Sequence, residues 1–278
     1  MTNGKVAFIG GGNMTRAIAG GLIDGGFDAR DILVAEPAAA TREALVEVLP
    51  GATIGSDNND IARAASCVVL AVKPQVLAKV CEDLARTVQT HKPLVISVAA
   101  GTRSGDIDTW LGGELAVVRI MPNQPALLRR GVSALYANER TSNSERRRAA
   151  DIIGAVGEVV LVGSEAEIDA ATAVSGSGPA YFFLLIDILA TTAVGLGIEP
   201  AAARTLAIET ARGAAELAAI EKVEMSDLIS RVRSPGGTTA AALDELDDAD
   251  VRAIFARAIT AARDRAIALA DAAHDGQA

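Results

Sequence analysis

The stretch Val6–Leu22, VAFIGGGNMTRAIAGGL, passes from an apolar run into three glycines and then into apolar residues at helical spacing. Val6–Ile9 reads as a strand covered on both faces, because no polar residue alternates with its apolar ones. Gly10 permits a tight turn after the strand. Gly12 lets the backbone approach a pyrophosphate, which then rests at the positive end of the following helix. The position that usually holds another small residue holds Thr15, whose branched side chain is expected to push the helix slightly off the strand. A glycine turn alone is a weak signal. One set between a strand and a helix, opening a strand–helix alternation, predicts a dinucleotide site rather than a bare turn.

Outward from this turn the alternation continues. Short β-rich runs fall at Lys5–Ile9, Asp31–Glu36, Ala52–Ile54, Cys67–Val72, Pro93–Val98, Leu115–Met121, Gly131–Ala137 and Glu158–Gly163, with helical segments such as Asn13–Gly25 and Thr141–Ala155 between them. That order predicts an α/β protein with a Rossmann-like, doubly wound, mainly parallel sheet. After Gly163 the strands stop, and the remaining chain reads as helices at about Glu165–Val174, Pro179–Gly195, Glu199–Ile220, Ser226–Val232, Gly237–Leu246 and Asp248–Ala273. We therefore expect a dinucleotide-binding domain at 1–163 and an all-α domain at 164–278. The second has more apolar surface than a small bundle hides, so part of it is expected to be a dimer interface.

Composition narrows the function. A net charge of −9 and a pI near 4.9 argue against a nucleic-acid partner. Cys67 and Cys81 are too few for a disulfide framework or a zinc site, which implies reduced thiols and a cytoplasmic location. The opening residues enter a strand almost at once, so no leader is expected. The most apolar window, Ala180–Gly197, is at the lower edge of a membrane span; Asp187 in its middle and its closing glycines favour a buried or interfacial helix over a membrane segment.

Further residues fall where a dinucleotide would lie. Glu36 ends the second strand, where an acidic side chain binds a ribose 2′-hydroxyl, yet Arg42 is within reach of a 2′-phosphate; NAD and NADP both stay open. Ala71, Val72, Lys73 and Pro74 close the fourth strand, and Val98, Ala99 and Ala100 close the fifth, small enough to leave room for a nicotinamide ring. His91 and His274 are expected in solvent, and no cluster suggests a metal. The helical half offers no obvious Lys or His as a general acid, which an alcohol or ketone substrate would need. A protonated imine already carries its proton, so a hydroxyl holding its nitrogen suffices.

The segments FIGGGNM, LAVKPQ, VISVAAG, RIMPNQPALLRRG, AATAVSGSGPAYFF and SPGGTTAAAL, in this order over about residues 4–272, resemble the Δ1-pyrroline-5-carboxylate reductases; the last two are the specific ones. The resemblance implies hydride reduction of a cyclic imine carboxylate to proline, and NADP(H) as preferred cofactor with NAD(H) possible. It also implies a helical domain that interlocks with that of a second subunit, in dimers that can build decamers. The cofactor positions expected are Ile9, Gly10, Gly11, Gly12, Asn13, Met14, Glu36, Asn58, Ala71, Val72, Lys73, Pro74, Val98, Ala99 and Ala100. Ser175, Ser234, Gly236, Gly237, Thr238 and Thr239 are the substrate positions, with the Thr239 hydroxyl on the ring nitrogen. For Ser234–Pro235 the bland alternative is an ordinary helix N-cap. Two departures stand out: Arg231, where an uncharged residue is common, and Ala219–Asp227, across which Glu221 does not align. The rival functions are a β-hydroxyacid dehydrogenase, which would want a Lys on the first long helix of the second domain, and a non-catalytic dinucleotide-binding regulator.

Overall fold

The computed structural model describes residues 4–274. Met1–Asn3, on which the expected lack of a leader rests, lie outside the described residues. The order of the first half is β1 (Val6–Ile9), α1 (Asn13–Asp24), β2 (Ile32–Ala35), α2 (Ala39–Val48), β3 (Thr53–Gly55), α3 (Asn58–Arg63), β4 (Cys67–Leu70), α4 (Pro74–His91), β5 (Leu94–Ser97), α5 (Ser104–Trp110), β6 (Val117–Met121), β7 (Gly131–Ala137), α6 (Asn143–Gly154) and β8 (Gly157–Leu161). All the expected strands form. The sheet runs β3-β2-β1-β4-β5-β6-β7-β8, parallel throughout except where β7 meets β6 antiparallel. β1, β2, β4 and β5 are buried along their whole length, which is why they read as unbroken apolar runs.

Strand order reverses between β1 and β4. In an open parallel sheet the crevice outside the carboxyl ends of two such strands is where ligands bind. One core layer gathers Val6, Phe8, Ile18, Val34 and Ile152 beneath α1, α2 and α6. The other gathers Ala7, Ile9, Leu33, Leu77, Leu84 and Ile107 beneath α3, α4 and α5. Cys67 and Cys81 are buried, and burial pushes both thiols up to about 12, so neither is a nucleophile at neutral pH.

The rest is helical, as expected: α7 (Glu165–Ala171), a π-helical turn (Thr172–Gly176), α8 (Gly178–Gly195), α9 (Pro200–Ile220), α10 (Met225–Val232), α11 (Thr238–Asp248) and α12 (Val251–His274). The chain forms two compact units. One runs to Gly176 and takes back the final segment from Ala262; the other is Ser177–Ala261. The expected division at 163 and 164 falls at the end of the sheet.

The apolar helix, expected to be buried or interfacial, leaves Phe182, Phe183, Ile188 and Leu189 on α8 each about half exposed or more within its own chain. By length and composition the stretch Glu165–Gly195 is also able to cross a membrane. His274 is not simply solvated, because its Nδ1 lies 2.5 Å from Asp106 Oδ1 while Arg103 bonds Asp271, so the last turn of α12 is tied to the start of α5.

Candidate active site

The glycine turn sits against the reversal point. The Gly10 N–H donates to the Ala35 carbonyl, and the Ala71 N–H donates to the Ile9 carbonyl, so the turn is fixed to the ends of both neighbouring strands. Gly10 has φ +101°, and a Cβ there would lie 2.7 Å from the Ala71 carbonyl oxygen. Only glycine fits. Gly12 differs: its φ is −73°, and a Cβ built on it meets nothing within 4 Å. It faces open space at the N-terminus of α1. No side chain caps that helix, so its first N–H groups, from Asn13 onward, point out of the turn. An uncapped helix start beside an open glycine is a cradle of the right chemistry for a dinucleotide's pyrophosphate.

Thr15 is part of the turn itself. Its side chain is fully buried, and its hydroxyl donates to the Gly10 carbonyl at 2.6 Å, closing the turn from inside. The branched residue is a clasp.

Glu36 lies at the end of β2, as expected, but its carboxylate is already engaged. One oxygen accepts the Gly11 N–H and the other the Ala38 N–H, each at 2.9 Å. Arg42 is held against the same corner: its Nη1 donates to the carbonyls of Glu36 and Pro37. Asn58 is the first residue of α3, just past β3, and the cap of that helix is Asp57, which accepts the Asp60 N–H. Lys73 is exposed at the uncapped N-terminus of α4 with Pro74 in its first turn; Ala71 and Val72 lead into it, half-buried. Ala99 is buried, while Ala100 is exposed at the end of β5. The first unit thus carries Ile9–Met14, Ala71–Pro74 and Val98–Ala100 at successive strand ends, with Glu36 just past β2 and Asn58 opening α3 after β3.

Ser175 lies in the π-helical turn, and its hydroxyl donates back to the Ala171 carbonyl. The second unit carries the other substrate positions. Ser234 does not cap a helix through Pro235. Instead the Gly237 N–H donates to the Ser234 carbonyl, Gly236 takes φ +69°, and Gly237 is the N-cap of α11 with no capping side chain. The backbone ladder begins only with the Ala241 N–H on the Gly237 carbonyl. The N–H groups of Thr238 and Thr239 therefore point out of the helix start, with no Lys or Arg in the turn. Arg233 pairs with Asp244 and Asp247 of α11, and Arg231 lies 3.3 Å from Glu221. α8 contains no Lys, which removes the residue the β-hydroxyacid rival requires.

Sequence reasoning missed a buried ion cluster. Arg119, in the middle of β6, is 2% exposed and reaches Glu165 at 2.5 Å and Asp169 at 3.1 Å. Glu165 also accepts the N–H and hydroxyl of Ser104. A signal existed: an arginine inside the apolar run LAVVRIM must find acidic partners if the run is a buried strand.

Two family models match this chain. The one described as "Pyrroline-5-carboxylate reductase dimerisation" covers residues 165–269, and the one described as "NADP oxidoreductase coenzyme F420-dependent" covers residues 5–101. A pyrroline-5-carboxylate reductase of Pseudomonas aeruginosa is 40% identical over 271 residues, 98% of each chain. The structure of a pyrroline-5-carboxylate reductase from Coxiella burnetii superposes with a TM-score of 0.91 at 40% identity, covering 95% of this chain and 98% of that one. That of Plasmodium falciparum pyrroline carboxylate reductase, with NADP bound, gives 0.84 at 27% identity over 97% and 99%.

Proposed function

This chain belongs to the pyrroline-5-carboxylate reductase family, and from that premise we propose how its own residues carry the reaction. It reduces 1-pyrroline-5-carboxylate to L-proline with a nicotinamide dinucleotide, the closing step of proline biosynthesis. The observation that carries this reading is the open, uncapped glycine turn at the reversal of strand order, on a chain matched from end to end by reductases of that name.

When bound, the dinucleotide supplies the hydride that goes to the imine carbon. Gly10–Met14 hold its pyrophosphate, Asn58, Lys73 and Pro74 its ribose and phosphate groups, and Val98–Ala100 flank its nicotinamide. The N–H groups at the start of α11 hold the substrate carboxylate through the helix's positive end. The Thr239 hydroxyl holds the ring nitrogen, with Ser234 in the same turn, and Ser175 is the substrate position of the first unit. Most of the acceleration is positioning of donor and acceptor.

Thr239→Val keeps the shape and removes only the hydroxyl. Loss of one positioned hydrogen bond should cost about 1–3 kcal/mol, roughly ten- to a hundredfold in kcat/KM for the imine. Dinucleotide affinity should hold. The measurement is dinucleotide oxidation with varied pyrroline-5-carboxylate; an unchanged kcat/KM would remove Thr239 from the site.

NADP(H) is our preferred cofactor, with NAD(H) accepted, and Glu36 sets the margin between them. Its carboxylate, pinned by the Gly11 and Ala38 N–H groups, cannot swing away without losing both bonds, and a 2′-phosphate arriving at the end of β2 meets its charge. Glu36→Gln should raise the ratio of kcat/KM for NADPH to that for NADH by roughly tenfold, about 1.4 kcal/mol. An unmoved ratio would shift cofactor choice to other residues.

The exposed apolar face of α8, inside the region matching the dimerisation model, supports a homodimer through the helical half rather than a membrane span. Decamers follow from the resemblance. The acidic net charge supports the absence of a nucleic-acid partner, and the free, buried Cys67 and Cys81 fit a cytoplasmic enzyme.

A further inference from the structure

The segment RIMPNQPALLRRG has no part in the reaction above, yet it holds a polar side chain whose two ends are both engaged. Asn123, buried two residues past the end of β6, donates from Nδ2 to the Ser175 carbonyl at 3.2 Å. Its Oδ1 accepts the Val132 N–H of β7 at 3.0 Å. The same turn is approached from a second side, because a Cβ on Gly176 would lie 2.8 Å from Met121 Cε. The π-helical turn thus packs against the last side chain of β6 as well.

The level of this contact in the sheet matters. β5 and β6 are parallel, with Ser97 opposite Arg119. Ala99 and Met121 follow these at matching offsets, so the chain leaves both strands at the same carboxyl edge. Asn123 therefore draws the Ser175 turn to the strand end beside the one assigned to the nicotinamide. The segment leading into the turn is tied as well: Arg119 grips Glu165 and Asp169 of α7, and Glu165 holds Ser104 at the start of α5. The Ser175 hydroxyl is engaged with the Ala171 carbonyl, so what Asn123 fixes is the backbone path of the turn. Single-turn π insertions in helices occur frequently at functional sites.

We propose that Asn123 is a positioning residue for the imine end of the site: it acts through the Ser175 turn, at the carboxyl edge of β6, and not on the dinucleotide. The inference rests on the reading of the chain as an imine reductase whose substrate lies against that turn.

Asn123→Asp tests it. The variant keeps an acceptor for the Val132 N–H and turns the donor facing Ser175 into a second acceptor. Amide hydrogen exchange over residues 172–177 should accelerate by about tenfold or more. The kcat/KM for pyrroline-5-carboxylate should fall roughly ten- to a hundredfold, the scale of a misplacement near 1 Å, while dinucleotide Kd stays unchanged. Asn123→Ala removes both bonds and should give the same split. Unchanged exchange in both variants overturns the anchoring. Faster exchange with wild-type imine kinetics overturns the positioning role, and so does a parallel loss of imine and dinucleotide binding. A parent protein that binds dinucleotide but turns over no pyrroline-5-carboxylate defeats the functional reading instead, and the exchange measurement still decides whether Asn123 anchors the turn.

Discussion

Arg119→Met should lower the free energy of unfolding by about 3–5 kcal/mol, the range for removing one partner from a buried ion pair. The guanidinium is 2% exposed and faces two carboxylates, of which Asp169 is 4% exposed and Glu165 23%. Methionine fills much of the same volume, so the loss is electrostatic more than steric. Two acidic groups are left in a poorly hydrated place with their charge uncompensated. Glu165 retains the Ser104 N–H and hydroxyl, which softens its share. Asp169, the more deeply buried of the two, bears most of the cost, and adding Asp169→Leu to Arg119→Met should return part of the stability, since an apolar replacement of a whole buried pair is far milder than breaking it. Urea unfolding of the parent, each single variant and the double variant completes the cycle. A single-variant loss below about 1 kcal/mol, the range of exposed pairs, would mean that the cluster is hydrated in solution.

The fold was legible where burial is a property of a run of neighbouring residues. The strands of the first half show as apolar runs because both faces of the sheet are covered, and the end of the sheet at Leu161 shows as the point where the runs stop. Pairings between distant residues leave no such trace. Nothing near Arg119 in sequence says that Glu165 and Asp169 meet it, although their spacing on α7 puts both carboxylates on one helix face. The resemblance supplied the candidate site residues but not their states. Glu36 is acidic in the expected place, and only the structure reveals that two backbone N–H groups already hold it. Thr15 reads from its branch alone as a poor fit, and the bond its hydroxyl makes to the Gly10 carbonyl is visible only in the structure. The apolar α8 reads as buried or interfacial from its composition alone, and only the structure reveals that its large side chains are left about half exposed within its own chain.

Gly12→Val should weaken dinucleotide binding by roughly a hundredfold or more, about 3 kcal/mol, while leaving the fold intact. The two effects separate because the structure gives the glycines of one turn different tasks. At Gly10 any side chain collides with the Ala71 carbonyl and φ is +101°, so substitution there damages the protein itself. At Gly12 the backbone is extended, at φ −73° and ψ −172°, a conformation that valine adopts readily. A Cβ meets no protein atom within 4 Å. The thermal midpoint should therefore move little, within the small range typical of surface changes. What valine does occupy is the space over the uncapped N-terminus of α1. A pyrophosphate must come close there to reach the N–H groups, and two methyl groups both block its approach and strip water from those donors. Calorimetric titration with NADPH and with NADH, beside a thermal melt, is the measurement. Affinity near that of the parent would detach this turn from the cofactor and leave its open glycine without a role. Lost affinity together with a collapsed melt would show that Gly12 supports the fold, against the free space around it.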